Sequence, residues 1–275
     1  MRLIVTKLSV GLYSAAYIRR AIQDFAPTRE KPFVLGLPTG STVLDTYAIL
    51  RTFVQERLLS FQHVITFNMD EYVGLPEDHP QSYHSYMRRN LWNTVHVTPQ
   101  QIFIPDGNAS DLQAECMRYE QAIAQVGGIR LLVGGVGRNG HIAFNEPGTP
   151  FNARTHVTQL TPSTLEANAR FFQNDISRVP RQALTLGIGT ILDAQELLFV
   201  ASGVKKAAAV SHLITQTPTL DWPLTALKLH PRATLLADLD ACVLLSGPVK
   251  NQLDEAKEKD PHAEEWVLQL KDTTL

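Results

Sequence analysis

The chain has 275 residues, is 44% hydrophobic and carries a formal net charge of -2 at pH 7. This length and apolar content allow a large buried core, and the scattered charges argue against a nucleic-acid or membrane-surface partner. Cys116 and Cys242 have no zinc or redox spacing, so we expect two reduced thiols. With no signal-peptide core and no membrane-spanning apolar run, the sequence predicts a cytoplasmic protein.

Helical and strand patterns alternate along the chain, which is typical of an α/β protein with an open, mostly parallel sheet and helices on both faces. The patterns predict helices over residues 12–25, 41–58, 112–126, 163–172 and 205–213. They predict strands over residues 33–37, 63–69, 129–136, 183–187, 197–200, 234–237 and 242–245. No repeat or linker divides the sequence, so we predict one domain over residues 1–275.

Two segments fall outside this regular alternation. Residues 147–180 are irregular apart from one short predicted helix and lie between two predicted strands. Insertions of this kind often cover sites, so we expect a mobile lid here. Residues 250–275 form a charged tail, which we expect to be a helix that packs on the core or on another subunit.

The segment after the first predicted strand is rich in small and hydroxyl residues. Residues 36–42 read Gly-Leu-Pro-Thr-Gly-Ser-Thr and lead into a helix whose N-cap we place at Ser41 or Thr42. Backbone N–H groups at a helix start, with the Thr39, Ser41 and Thr42 hydroxyls, suit a phosphate group. The Gly-Lys-Ser/Thr signature of a nucleotide P-loop is absent. An ordinary capped turn would explain the segment equally well.

Asp70 and Glu71 directly follow the second predicted strand. A carboxylate at the carboxyl end of a strand can act as a general base when it is partly desolvated. Neighbouring residues on an extended chain point in opposite directions, so we expect only one of the two acids to face a site. Capping of a helix or turn is the commoner role for such an acid, and this segment alone leaves both roles open.

The most informative segment is residues 131–147, in which an apolar strand runs into a glycine-rich turn followed by His141 and Glu146. Glycines let the backbone approach a ligand closely, and histidine transfers protons near neutral pH. The segment also matches the GxGxxG pattern of dinucleotide sites, but Pro147 and Pro150 prevent the long helix that such a site requires. A purely structural glycine turn with a surface histidine is a further alternative.

Carboxyl ends of parallel strands meet at one edge of a sheet, so these three segments are expected to form one site. A phosphate cradle, a carboxylate base and a histidine/acid pair together indicate an enzyme that acts on a sugar phosphate. Arg170, Lys205 and Lys206 offer further cations for a phosphate, although such residues are usually solvated. The histidine spacings match no metal-binding motif, so we expect no metal ion.

Several motifs of this chain occur together in a known family. They cover residues 35–41, 66–75 and 134–147, with shorter matches at 82–83, 169–172, 183–190 and 227–231. In these motifs the chain resembles the glucosamine-6-phosphate deaminases from about residue 1 to 240. The resemblance implies a Rossmann-like fold and a C–N hydrolase of amino-sugar catabolism. Such an enzyme isomerises D-glucosamine 6-phosphate to D-fructose 6-phosphate and releases ammonia, with no required cofactor.

The same resemblance implies a role for each matched residue. Asp70 would move a proton from C2 to C1 of the sugar, and His141 would act as acid and base in ring opening. Glu146 would orient or tune that histidine. The substrate phosphate would be bound by Thr39, Gly40, Ser41, Thr42, Arg170 and Lys206.

At two places the chain departs from the family pattern. Many members have Asp where this chain has Asn139, which can accept a hydrogen bond from His141 but brings no charge. We therefore expect a less elevated His141 pKa and a greater dependence on Glu146. Allosteric members bind N-acetylglucosamine 6-phosphate partly through an Arg and a Lys, where this chain has His156 and Thr158. We expect weak effector binding, and because allosteric members are hexamers, a homo-oligomer is possible but not required.

Two alternative functions remain at this point. One is a deaminase or related isomerase or lactonase acting on a different sugar phosphate, such as galactosamine 6-phosphate. The other is a non-catalytic sugar-phosphate-sensing domain of a transcription regulator. A sensor would be expected to carry a DNA-binding segment and to lose the base or the histidine, whereas this chain keeps Asp70 and His141 and has no obvious helix-turn-helix.

Overall fold

The computed structural model describes residues 1–270. The strands are β1 (Arg2–Thr6), β2 (Phe33–Leu37), β3 (Val64–Asn68), β4 (Asp70–Tyr72), β5 (Ile102–Phe103), β6 (Leu131–Gly135), β7 (His156–Gln159), β8 (Gln182–Thr185), β9 (Leu197–Ala201), β10 (Ala233–Asp238) and β11 (Glu265–Gln269). The α-helices are α1 (Val10–Phe25), α2 (Leu44–Gln55), α3 (Tyr83–Met87), α4 (Asn93–Val95), α5 (Leu112–Gln125), α6 (Pro162–Ala169), α7 (Ile188–Leu192), α8 (Ala207–Thr215) and α9 (Gly247–Lys259). Across residues 1–270, no helix combines the length and the apolar character needed to cross a membrane.

The larger sheet has the strand order β11-β1-β10-β9-β6-β2-β3-β5. Its strands pair in parallel except for β11, which runs antiparallel to β1 at the edge. Strand β6 pairs with β2 on one side and β9 on the other, and the order of the strands changes direction there. Ligands of open α/β sheets bind in the crevice beyond the carboxyl ends at such a point. The predicted open, mostly parallel sheet is confirmed.

Helices cover both faces of this sheet, as predicted. Strand residues alternate between the faces, so that Leu35 packs on one side with α1 and α2, whereas Val34 packs on the other with α5 and α8. Burial of each such Leu or Val contributes about 1.5–3 kcal/mol to folding, so the two cores hold the strand ends in fixed positions.

A second, smaller sheet lies beside the site, in the order β4-β8-β7, and all of its pairs are antiparallel. Helix α6 packs on it through Leu165 and Ala169, in a cluster with Tyr72, Phe144 and Phe172. The segment 147–180, predicted to be an irregular lid with one helix over 163–172, therefore also contains β7, and its helix is α6 (Pro162–Ala169).

Some sequence-based assignments were wrong. The apolar residues 242–245 form no strand, because Val243 and Leu244 are 54% and 55% exposed in a turn after a 3-10 helix (Asp240–Cys242).

The predicted tail helix is present only as α9, whose Leu253 is buried in the core, and the chain then turns into β11. The last five residues of the predicted tail, 271–275, lie outside the described residues. Strand β1 was not predicted at all.

Candidate active site

A cleft of about 650 Å³ opens at the carboxyl edge of the larger sheet. Its walls come from the segments after β2, β3, β6 and β9, together with α6. Nine of the ten residues proposed from the sequence line it: Thr39, Gly40, Ser41, Thr42, Asp70, Asn139, His141, Arg170 and Lys206. The tenth, Glu146, lies behind Asn139 and contacts it directly. The expectation that the three strand ends form one site is confirmed, whereas the role of each residue stays a prediction.

Asp70 is the first residue of β4 and pairs with Thr185 of β8. Its side chain lines the cleft although the residue is only 7% exposed. Among residues 1–270 nothing donates a hydrogen bond to its Oδ1. Burial, and secondarily the charge of Glu71, raise the pKa of Asp70 from 3.8 to about 8. A buried carboxyl group that accepts no stabilising hydrogen bond is suited to act as a general base.

Glu71 has the opposite environment, as expected for its neighbour on an extended strand. Its carboxylate turns away from the cleft and accepts the backbone N–H groups of Tyr72, Tyr83 and His84 at 2.8–2.9 Å. The last two belong to the first turn of α3, so Glu71 satisfies a helix start. Capping therefore explains Glu71 and leaves Asp70 as the acid that faces the site.

The glycine-rich turn after β6 lets the backbone pass very close to His141. A Cβ at Gly137 would lie 2.4 Å from the imidazole ring, a distance that no side chain tolerates. Gly140 has φ +79°, and a Cβ there would lie 2.5 Å from the Trp222 ring. The two glycines thus leave room for the rings of His141 and Trp222. This packing explains the GxGxxG match without a dinucleotide site.

Glu146 and Asn139 form the support behind His141. Glu146 Oε2 lies 3.8 Å from His141 Nδ1 and accepts a 2.8 Å hydrogen bond from Asn139 Nδ2. The Asn139 Oδ1 accepts the backbone N–H of His141 at 3.3 Å. The expected hydrogen bond from His141 to Asn139 therefore comes from the main chain. Asn139 orients the turn and the carboxylate together, which an uncharged amide can do.

The electrostatic surroundings of His141 favour the neutral imidazole. Burial lowers its pKa below 6.5, Lys206 and Arg138 act in the same direction, and only Glu146 opposes them. The prediction of a less elevated pKa therefore agrees with the direction of the shift. A neutral imidazole can first accept a proton and then return it.

The segment that leads into α2 also lines the cleft. Gly40 has φ +95° and its carbonyl accepts the Tyr86 hydroxyl at 2.7 Å. The chain then forms a 3-10 turn, Ser41–Val43, before α2 begins at Leu44. The predicted N-cap was wrong, because neither helix start has a side-chain cap hydrogen bond. The N–H groups of this turn remain available to an anion.

Two cations, Lys206 and Arg170, line the same cleft as that turn. Lys206 follows β9 and donates a 2.5 Å hydrogen bond to the Val136 carbonyl, and Arg170 forms the C-terminal cap of α6. Burial, and then Arg138 and Arg170, lower the pKa of Lys206. Mutual repulsion among these cations would be relieved by a bound phosphate. Lys205, also considered from the sequence, is exposed and does not line the cleft.

Sequence reasoning missed several residues of the cleft wall. They are Tyr83, Arg138, Ser163, Glu166 and Asn168. Arg138 lies within the glycine-rich turn, so its position next to His141 was a usable signal. The others come from α3 and α6, which reach the site only through tertiary packing.

Comparison with known proteins gives the family. The family model described as glucosamine-6-phosphate isomerases/6-phosphogluconolactonase matches residues 9–236. This chain belongs to that family. A glucosamine-6-phosphate deaminase of Tolumonas auensis is 53% identical over 232 residues, covering 84% of this chain and 87% of the relative. One of Fusobacterium nucleatum is 46% identical over 271 residues, covering 98% and 99%.

Solved structures of the isomerase/lactonase family agree. A monomeric glucosamine-6-phosphate deaminase superposes with a TM-score of 0.84 at 42% identity, covering 89% of this chain and 100% of that chain. A 6-phosphogluconolactonase from Trypanosoma cruzi superposes with a TM-score of 0.71 at 20% identity, covering 89% and 97%. At that lower identity the likeness shows only that the family shares one fold.

Proposed function

We propose that this chain is a glucosamine-6-phosphate deaminase, which converts D-glucosamine 6-phosphate and water to D-fructose 6-phosphate and ammonia. The observation that carries the proposal is one cleft that is lined both by the buried Asp70 carboxyl and by a histidine backed by Glu146. Aldose–ketose isomerisation needs a base that reaches two neighbouring carbons, and ring opening needs a separate proton carrier. The names of the relatives at 53% and 46% identity support the same substrate.

The phosphate is assigned to the turn at the start of α2. Thr39, Gly40, Ser41 and Thr42 offer backbone N–H groups and hydroxyls, and Arg170 and Lys206 offer positive charge from two other elements. A dianion bound there makes charge-assisted hydrogen bonds and offsets the repulsion that lowers the Lys206 pKa. The sugar then extends from this end of the cleft toward the histidine and Asp70.

Ring opening is assigned to His141. Its neutral imidazole takes the proton of the C1 hydroxyl and returns it to the ring oxygen, so that the C1–O5 bond breaks and an aldehyde forms. Glu146, 3.8 Å from Nδ1, stabilises the transient imidazolium. The main-chain hydrogen bond to Asn139 keeps the turn, and with it the ring, in place.

Isomerisation is assigned to Asp70. Its carboxylate removes the C2 proton while the substrate ammonium group gives up one proton to the C1 oxygen, which leaves a neutral enolamine. The Asp70 carboxyl then delivers its proton to C1, which gives a C2 iminium ion. Water adds to that iminium ion, and ammonia leaves to form the ketone. With a pKa of about 8, Asp70 is mostly protonated in the free protein at neutral pH. The substrate ammonium group bound beside it favours the carboxylate and so activates the base.

Incubation of the purified chain with glucosamine 6-phosphate, with both products measured, tests the proposal. Fructose 6-phosphate and ammonia should appear in equal amounts. Isomerisation without ammonia would indicate a different isomerase, and binding without turnover would indicate a sensing domain. The C4 epimer, galactosamine 6-phosphate, should react more slowly, and a preference for it would reassign the substrate.

We also propose hyperbolic kinetics and a monomeric enzyme. His156 begins β7, and its Nδ1 lies 2.8 Å from the Arg154 carbonyl, so this ring nitrogen is engaged by the main chain rather than free to bind a phosphate effector. Thr158, on the same strand, has no charge. The solved deaminase at 42% identity is a monomer, which favours a monomer among the possible oligomeric states. Light scattering tests the mass, and substrate curves with N-acetylglucosamine 6-phosphate test the regulation.

A further inference from the structure

The carboxylate of Glu146 is held from two directions. Asn139 of the glycine-rich turn donates to Oε2 at 2.8 Å, and Thr164 of α6 donates to Oε1 at 2.6 Å. Thr161, the N-cap of α6, approaches Oε1 at a longer 3.3 Å and also donates to the Thr164 hydroxyl at 3.0 Å. Each oxygen of the carboxylate therefore has its own donor, and one of the donors belongs to the lid segment.

The Thr164 contact is buried. Thr164 is 8% exposed and the Glu146 side chain 12% exposed, so water competes little for this hydrogen bond. A hydroxyl bound to a buried carboxylate forms a strong, charge-assisted hydrogen bond. The Thr164 hydroxyl thus fixes the Glu146 carboxylate, whose Oε2 lies 3.8 Å from His141 Nδ1.

Helix α6 connects this contact to the phosphate end of the cleft. Thr164 lies in its first turn and Arg170 caps its carboxyl end, about 9 Å further along the axis at 1.5 Å per residue. The opposite face of α6 is fixed by Leu165 and Ala169 in the cluster on the smaller sheet. Because Thr164 and Arg170 belong to the same short helix, a phosphate bound at Arg170 also restrains the Thr164 hydroxyl.

We propose that Thr164 is a positioning residue that couples phosphate binding at Arg170 to the orientation of Glu146 and hence to ring opening by His141. This inference rests on the proposed function and extends it to the lid. A sugar phosphate that engages Arg170 sets the Glu146 carboxylate through one hydroxyl. A sugar without phosphate leaves α6, and with it the Thr164–Glu146 hydrogen bond, without the added restraint at Arg170.

Two substitutions of Thr164 separate positioning from folding. Thr164→Val keeps the size and β-branching and removes the hydroxyl, and we expect kcat to fall roughly tenfold with KM changed less than twofold. Thr164→Ser restores the donor and should restore kcat to within about twofold of the wild-type value. A merely structural loss of α6 would instead raise KM, because Arg170 would be displaced as well.

A double-mutant cycle with Arg170→Ala tests the coupling itself. Thr164 and Arg170 are separated by about 9 Å along the axis of α6, so independent effects on kcat would multiply. We expect Arg170→Ala to lower kcat several-fold in the wild-type background and less than twofold in the Thr164→Val background. The coupling would be overturned, in a protein that still releases ammonia, if Arg170→Ala lowered kcat by the same factor in both backgrounds. It would also be overturned if Thr164→Ser failed to recover kcat. A wild-type protein that releases none would overturn the proposed function, and this inference with it.

Discussion

Substitution of Gly137 by alanine is predicted to disable the histidine without disturbing the rest of the site. The added Cβ would lie 2.4–2.5 Å from three atoms of the His141 ring. Ordinary carbon contacts lie near 3.5–4.0 Å, so the ring has to move by about 1 Å. The Gly137 backbone is not in the left-handed region, so alanine itself introduces no conformational strain.

A displacement of about 1 Å at a catalytic group costs on the order of 100-fold in rate, which corresponds to about 2.7 kcal/mol of transition-state stabilisation. We expect kcat for glucosamine 6-phosphate to fall by that factor, with KM changed far less because the phosphate end is untouched. The assay is a coupled measurement of fructose 6-phosphate, with the melting temperature recorded alongside.

Gly135→Ala is the matched control. It adds the same methyl group to the same wall of the cleft, but a Cβ at Gly135 has no neighbour within 4 Å. We expect its kcat to remain within a few-fold of the wild-type value. If Gly137→Ala were as active as Gly135→Ala while both proteins remained folded, the close packing of His141 against Gly137 would not matter for catalysis.

Three further predictions concern single side chains. Arg170→Ala should raise KM about 10- to 100-fold, because a charge-assisted contact to the phosphate is lost. Arg170→Lys should recover only part of the lost affinity. An unchanged KM in Arg170→Ala would show that Arg170 does not bind the substrate. Asn139→Ala should slow turnover of the cyclic substrate about tenfold, because Glu146 and the His141 main chain lose a shared partner, and unchanged turnover would refute that role. The pKa of Asp70 is raised from 3.8 to about 8 in the folded protein, so ionising it costs stability as pH rises through this range. Asp70→Asn should therefore raise the melting temperature above wild type at pH 8 and less at pH 5, and an equal difference at both would contradict the burial argument.

The sequence was sufficient where local chemistry determines structure. Strand β2, with residues 33–37, matches its prediction, because a short apolar run between a proline and a glycine-rich turn has few other options. Asp70 was found because it follows an apolar strand, and His141 because it follows the glycine-rich turn at the end of another strand. The prediction of one domain over residues 1–275 stays a prediction, with 271–275 outside the described residues.

What the sequence did not reveal depends on tertiary contacts. The Thr164 hydroxyl reaches Glu146 across 18 positions of chain, and no local pattern marks such a pair. The absence of a side-chain cap on α2 follows from a 3-10 turn, which propensity alone does not distinguish from an α-helical start. The residues at 242–245 have a strand-like composition, but no neighbouring strand pairs with them.

The exchange of the C2 proton of the substrate tests most directly whether Asp70 is the base. Glucosamine 6-phosphate is incubated in D2O with the wild-type chain and with Asp70→Asn, and the C2 and C1 positions are followed by NMR. Asp70→Asn keeps the size of the side chain and removes its basicity, so substrate should still bind while proton transfer between C2 and C1 stops. Exchange or product formation by Asp70→Asn at the wild-type rate would contradict the assignment of Asp70 as the base.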